Sequence, residues 1–184
     1  WEYDGQSWRH VVLSGPTPRG GHAMAYDPGR QKVVLHGGTD GNTVNSDVWE
    51  YDGLTWEAVA TGPRRAHHAM VYDTRTPGLL LFGGYETTAA TRVAAPRARN
   101  ADGSWRVLPD GPTPRMDPAA AHDPVLGRTY VWSGYGAGGE PPADLWAWTG
   151  DAWQLVGTGP ERRIGSSMAS DSPRHRTVLF GGSK

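Results

Sequence analysis

Four arginines share one register in this sequence, and guanidinium groups at matching places are the first residues to weigh for chemistry. Arg19, Arg65, Arg115 and Arg163 follow the Gly-Pro pairs Gly15-Pro16, Gly62-Pro63, Gly111-Pro112 and Gly159-Pro160, and stand three residues before His22, His68, Pro118 and Ser166. Arginine offers a planar fork that grips carboxylate or phosphate through two hydrogen bonds. Four such groups ~10 Å apart repel by roughly 0.4 kcal/mol per pair in water and about 1.7 kcal/mol at an effective dielectric of 20. Exposed guanidiniums tolerate that repulsion, and an anion relieves it. One reading is therefore an anion-binding mouth. The other is that each arginine caps loop carbonyls or pairs with an Asp or Glu of an adjoining unit.

His22, His67 and His68 fall in the same region, and Tyr85 and Tyr135 each follow a glycine there. A metal centre needs three convergent ligands, and only two registers, those of His22 and His68, supply candidates; no metal or other cofactor is expected. Cysteine is absent, which removes disulfides, thiolate ligands and cysteine nucleophiles together. No Ser-His-Asp set or carboxylate pair stands apart from turn aspartates such as Asp27 and Asp73. Gly134-Tyr135-Gly136-Ala137-Gly138-Gly139 matches G-x-G-x-x-G, but Glu140-Pro141-Pro142 cannot open the helix whose N-terminus would meet a pyrophosphate. A loop is expected there.

The elements that position these residues repeat. Trp8, Trp56, Trp105 and Trp153 recur at steps of 48, 49 and 48 residues, a period that signals a repeat architecture. Within one period, Asp52-Gly53 between alternating apolar residues predicts a tight hairpin, as does Asp4-Gly5. Asp27-Pro28-Gly29-Arg30 predicts a turn. The runs Val33-Val34-Leu35, Leu79-Leu80-Leu81-Phe82, Tyr130-Val131-Trp132 and Val178-Leu179-Phe180 lack alternation and predict strands buried on both faces. His36 occupies the place of Phe82, Trp132 and Phe180 and is expected in the core. Glycine follows each run and admits a neighbour's bulk. One period thus holds four short strands, A (22–26), B (32–37), C (47–51) and D (55–59), and no helix. Four-stranded units at this period are blades of a β-propeller.

The double glycine after strand B, the aromatic on strand C and the tryptophan on strand D resemble the kelch repeat. The resemblance covers the whole chain, except that Arg92 to Ala101 has no Asp-x-Trp to match Asp47-Val48-Trp49 or Asp144-Leu145-Trp146. It implies an all-β fold: a single kelch-type domain over 1–184, with antiparallel blades at about 22–59, 68–108, 119–156, and 167–182 joined to 1–12. That last blade would be split between the termini, and its closure would hide sheet edges. A closed four-bladed ring, half of an eight-bladed ring made by two chains, and a fragment of a longer propeller all fit; ending mid-blade favours the fragment, and an incomplete ring implies self-association.

In similar kelch proteins the matching arginines grip acidic peptides or acidic sugars, and Arg163-Ile164-Gly165 looks most like that pattern. The expected function is non-catalytic recognition of a protein, peptide or anionic glycan through Arg19, Arg65, Arg115, Arg163, His22, His68, Tyr85 and Tyr135. The alternative is a carbohydrate-active enzyme resembling galactose oxidase, whose central domain shares this propeller type. The copper-radical chemistry of that enzyme requires a cysteine and is excluded.

Composition narrows the partners. Among 18 basic residues only Lys32 and Lys184 are lysine, the net charge is −1, and the arginines form no basic stripe of the kind nucleic acid requires. No apolar run reaches 18 residues and no basic-then-apolar segment opens the chain, so no membrane span or signal peptide is expected. The start at Trp1 reads as a mature, trimmed or fragmentary sequence. Arginine usage over lysine suggests a bacterial, secreted origin.

Overall fold

The computed structural model describes residues 1–11, 14–87, 95–136, 140 and 142–184. Among them there is no α-helix, and three four-stranded antiparallel sheets carry the fold. The chain opens with a hairpin of β1 (Glu2–Tyr3) and β2 (Trp8–Arg9). The first sheet follows: β3 (Ala23–Asp27), β4 (Lys32–His36), β5 (Asp47–Tyr51) and β6 (Trp56–Thr61), paired in chain order. The second holds β7 (Ala69–Asp73), β8 (Gly78–Phe82), β9 (Arg97–Arg99) and β10 (Trp105–Val107). Strand β9, where Asp-x-Trp is missing, forms but is only three residues long.

A two-residue pairing of β11 (Arg115–Met116) with β14 (Tyr135–Gly136) flanks the third sheet. That sheet comprises β12 (Ala119–Asp123), β13 (Arg128–Trp132), β15 (Asp144–Trp148) and β16 (Trp153–Thr158). The chain ends in β17 (Ile164–Asp171) and β18 (Arg176–Ser183), joined by a single 3-10 turn, Ser172–Arg174. Strands A to D of the first repeat thus fall within two residues of β3 to β6. The split blade is not joined: β1 pairs only with β2 and β17 only with β18, in separate sheets.

Turn chemistry explains why the strands are short. Asp27, Asp73 and Asp123 each accept, on one carboxylate oxygen, the backbone N–H groups two and three residues ahead. Such aspartate-closed turns reverse the chain between first and second strands. Asp4 and Asp52 do the same in their hairpins, beside Gly5 and Gly53 at positive φ.

The sheets stack through their faces. Ala23, Val34, Val48, Met70 and Leu79 pack between the first and second sheets, and Leu80, Phe82, Val131, Trp148 and Trp153 between the second and third. Every residue of β8 is buried. In β18, by contrast, Val178 and Phe180 lie exposed, because no sheet covers that side. Indoles meet bare backbone at each junction: a Cβ on Gly62 would come within 2.8 Å of Trp105, and one on Gly111 within 2.6 Å of Trp153. Charges tie the same junctions. Glu50 receives Arg30, Lys32 and, from the second sheet, Arg99, while Asp73 accepts from Thr129 Oγ1 of the third sheet at 2.5 Å.

The first strands stand side by side in chain order, β3 against β7, β7 against β12 and β12 against β17. Together they line a cavity of about 260 Å3 whose walls include Ala23, Ala69, Ala119 and Ser167.

Candidate functional site

At the head of these first strands lies a row of backbone positions. Gly21, His67 and Asp117 each precede the first strand of their unit, Gly165 is the second residue of β17, and each holds φ near +50° to +70°. His67 N–H donates to Gly21 C=O at 2.7 Å, and Asp117 N–H donates to His67 C=O at 2.9 Å, so consecutive units are linked directly. In His67 and Asp117, neither a glycine, this left-handed backbone is strained by ~1–3 kcal/mol. The strain is held in place by those hydrogen bonds and by side-chain packing. His67 Nδ1 lies 2.8 Å from Asp117 Oδ1, its ring stacks on Tyr85 at 5.5 Å with 20° between planes, and it lies flat over Gly21, where a Cβ would meet it at 2.5 Å.

The segment after each second strand supplies a further layer. Thr39 bridges to Gly20, Tyr85 to Ala66 and Tyr135 to Met116, in one shared register. Tyr85 and Tyr135 are therefore placed alike beside this row and are both half-buried. The result is a small polar platform of imidazole, carboxylate and phenol on a hydrogen-bonded frame, with His67 and Asp117 immediately before the cavity-lining His68 and Pro118 in the chain. Such a surface can stack on a ring and exchange hydrogen bonds with a ligand, on a scaffold that does not need to reorganise.

The arginines are placed otherwise than as an open anion-binding mouth. Arg115 is fully buried: its guanidinium meets both oxygens of Asp144 at 2.6 and 3.0 Å, Ser133 C=O at 3.3 Å and Thr113 through O and Oγ1. Arg19 repeats the pattern with Asp47 at 2.5 Å, Gly37 C=O and Thr17. Each aspartate also accepts from a tryptophan, Trp49 Nε1 to Asp47 and Trp146 Nε1 to Asp144, both at 2.6 Å. Burial alone would raise these carboxyls, but the arginine and indole bonds outweigh it and hold both below the ordinary aspartate range.

Arg65 has no Asp-x-Trp partner. It is fully buried against Glu86 at 3.1 Å and Ala95 C=O at 3.2 Å, its Nε lacks an acceptor, and burial lowers its pKa to about 10. Arg163 is half-buried and reaches Gly181 and Gly182 C=O at 3.4 Å. The backbone of these residues matters as well: Arg65, Arg115 and Arg163 carbonyls accept from Gly38, Gly84 and Gly134 N–H of the preceding unit. The double glycine after each second strand thus admits a neighbouring carbonyl. Arg19, Arg65 and Arg115 brace the loops from inside, and guanidiniums so enclosed and occupied do not present themselves to an anion; Arg163, half-buried and without an ion pair among the described residues, is not held in that way.

The histidines divide by depth. His22 is exposed and its Nδ1 approaches Arg19 C=O at 3.2 Å. His68 is buried, with its Nε2 at 3.1 Å from Nδ1 of the fully buried His36. Burial, helped by nearby Arg65, pushes His36 down to about 4 and His68 well below its ordinary value, so both imidazoles stay neutral. His68 is thus largely enclosed, but it also borders the cavity between the first strands. Among the described residues no three His, Asp or Glu side chains gather around a common point. Residues 137–139 of the Gly-rich motif, and the loop stretches 88–94 and 141, lie outside the described residues.

Sequence reasoning placed His67 in a histidine cluster but missed Asp117 and the two bracing aspartates. Each had a signal in register: Asp117 follows Arg115 by two residues as His67 follows Arg65.

No protein-family model matches the chain. It is similar to Mei4-dependent protein 6 of Schizosaccharomyces pombe (strain 972 / ATCC 24843), 35% identical over 94 residues, which is 48% of this chain and 13% of that protein. The chain thus spans a small part of that relative's length. No helix among the described residues is long and apolar enough to cross a membrane, a statement that does not extend to β-barrels.

Proposed function

We propose that this chain is a kelch-like β-propeller, or part of one, acting as a non-catalytic recognition module. Four-stranded antiparallel sheets stacked in sequence support the propeller reading, as do first strands that share one central cavity. The ligand is a peptide segment of a partner protein, with a glycan as the competing class, bound at the row of Gly21, His67, Asp117 and Gly165.

One observation carries this reading. Two strained non-glycine residues, His67 and Asp117, are bonded to each other, Tyr85 stacks on His67, and both strained residues immediately precede cavity-lining residues in the chain; backbone strain of this kind concentrates at functional sites. His22 and Tyr135 flank the platform. A binding role is favoured over catalysis because, of the groups with strongly shifted protonation, His36 and Arg65 are enclosed, while His68, which borders the cavity, is almost wholly buried and held neutral by that burial.

The test is a screen of immobilised peptide and glycan arrays with the purified chain, followed by titration calorimetry on the best hit with His67→Ala and Tyr85→Ala. We expect a peptide hit and at least a tenfold loss of affinity in each variant, with melting unchanged by more than a few degrees. Affinity unaffected by both substitutions would refute the site.

A further inference from the structure

At the end of β7 away from the platform, the turn Asp73-Thr74-Arg75-Thr76 meets the third sheet through a hydroxyl, an imidazole and a carboxylate in sequence. Thr74 Oγ1 lies 2.8 Å from Nε2 of His122, on β12. His122 Nδ1 lies 3.0 Å from Thr129 Oγ1 and 3.4 Å from Asp73 Oδ2, and Thr129 Oγ1 donates to that same Asp73 oxygen at 2.5 Å. Thr74 is exposed, the His122 side chain keeps 8% of its surface in solvent, and Asp73 is wholly buried. The turn itself needs none of this. Asp27 and Asp123 close theirs through the same pair of backbone N–H bonds, and at the junction of the first and second sheets the places of Thr74 and His122 are held by Pro28 and Tyr72.

The hydrogen bonds fix the tautomer. Thr74 N–H can only donate, and it reaches His122 Nε2 at 3.2 Å, so Nε2 carries a lone pair. Nδ1 then carries the proton and donates to Thr129 Oγ1, whose own hydrogen goes to the aspartate. The lone pair on Nε2 therefore also faces the hydroxyl of Thr74. Burial alone would raise the Asp73 carboxyl, but the bonds from His122, Thr129 and the Thr76 N–H outweigh it and hold it below the ordinary aspartate range. An ionised carboxylate behind an imidazole steadies the imidazolium that forms when Nε2 takes up a proton, which is how a hydroxyl is activated as a nucleophile.

We propose that Thr74 is an acyl-accepting site, its hydroxyl attacking the carbonyl of an activated ester with His122 as general base and with Asp73 and Thr129 positioning the imidazole. Thr74 Oγ1 forms the new ester bond and its proton passes to His122 Nε2. The bond from the carbonyl carbon to the leaving oxygen breaks, and the departing alkoxide or aryloxide takes the proton from Nε2. The products are an acylated Thr74 and a free alcohol or phenol. The N–H groups of Arg75 and Thr76 are occupied by Asp73 Oδ1, so they do not serve a tetrahedral oxyanion. The site therefore takes donors whose leaving group departs readily, aryl esters above all, and adds one acyl group per chain. It is independent of the peptide-binding reading, which concerns the other end of the first strands.

The probe is p-nitrophenyl acetate added to the whole chain, followed by release of p-nitrophenol and by mass mapping of acetylated peptides. We expect acetyl on Thr74 about a hundredfold faster than on Thr55, an exposed turn hydroxyl beside Asp52. Acetylation of Lys32 and Lys184 shows in each run that the reagent is active. Thr74→Ser keeps the label and Thr74→Ala removes it, both with unchanged melting at this exposed position. His122→Gln, which cannot take up the proton, brings Thr74 down to the Thr55 rate. Thr129→Ser keeps the fast reaction while Thr129→Val slows it by roughly tenfold, a split that a merely structural threonine would not produce between chains of equal circular dichroism. Thr74 labelled no faster than Thr55 in the unsubstituted chain overturns the proposal, a result that needs no variant to fold. So does a folded His122→Gln chain in which Thr74 is labelled at the unsubstituted rate.

Discussion

Acid should loosen this protein between pH 7.5 and pH 5, through the pair His36 and His68. The two imidazoles face each other at 3.1 Å in the wall between the first and second sheets, and the backbone of Pro63 near His36 offsets only part of the burial. Burial disfavours the charged form, and Arg65 adds to it, so His36 titrates in the folded chain at about 4 against an ordinary value of 6.5. The sign follows from proton counting. Below pH 6.5 the unfolded chain binds protons that the folded chain refuses, so stability falls as pH falls and the loss levels off near pH 4. For His36 alone the loss is about 2 kcal/mol at pH 5 and about 3 kcal/mol at pH 4. His68 shifts in the same direction and adds to it. Against a total of ~5–15 kcal/mol for a domain, this is a large fraction.

The assay is urea unfolding followed by tryptophan fluorescence at pH 7.5 and pH 5.0. The decisive comparison is with His36→Phe/His68→Ser, which installs the residue types found at Phe82 and Ser166 in the same registers. The unsubstituted chain should lose at least about 2 kcal/mol more than this variant between the two pH values. Equal losses would refute the assignment, because the carboxylates held low by arginine, Asp47 and Asp144, remain ionised throughout that window and titrate only in stronger acid.

Three further outcomes follow from the same geometry. Asp144→Ala strands the fully buried Arg115 without its counterion and removes the acceptor of Trp146, and should cost ~3–5 kcal/mol in urea unfolding; a cost below 1 kcal/mol would show that water reaches the guanidinium. Gly111→Ala drives a methyl into the Trp153 indole and should cost ~1–3 kcal/mol, whereas Gly20→Ala, with nothing within 4 Å, should be nearly neutral in the same measurement. Trp148→Ala, which empties a core position and frees Thr76 Oγ1, should cost ~3–5 kcal/mol, while Trp8→Ala, at an exposed position, should change stability by less than about 0.5 kcal/mol.

The repeat made the sheets legible and left the arginines ambiguous, and the reason is where the deciding partner sits. Turn aspartates act within three residues, so Asp27, Asp73 and Asp123 could be read locally. The fate of Arg19 and Arg115 is decided by Asp47 and Asp144, on a strand that returns to them only after the sheet has folded. Yet the signal was present as a correlation across units. Asp-x-Trp accompanies Arg19 and Arg115 and is missing for Arg65, the arginine that lacks an Asp-Trp brace, relies on half-exposed Glu86 and is pushed down to about 10. Where both types recur together, as Arg19 with Asp47 and Arg115 with Asp144, they form an internal pair. A residue in register that changes type freely, as Gly21, His67, Asp117 and Gly165 do, marks a place where the frame fixes the backbone and leaves the side chain to other uses. By that criterion the proposed ligand site is sought at these variable positions, while Arg19 and Arg115 belong to the scaffold beneath them.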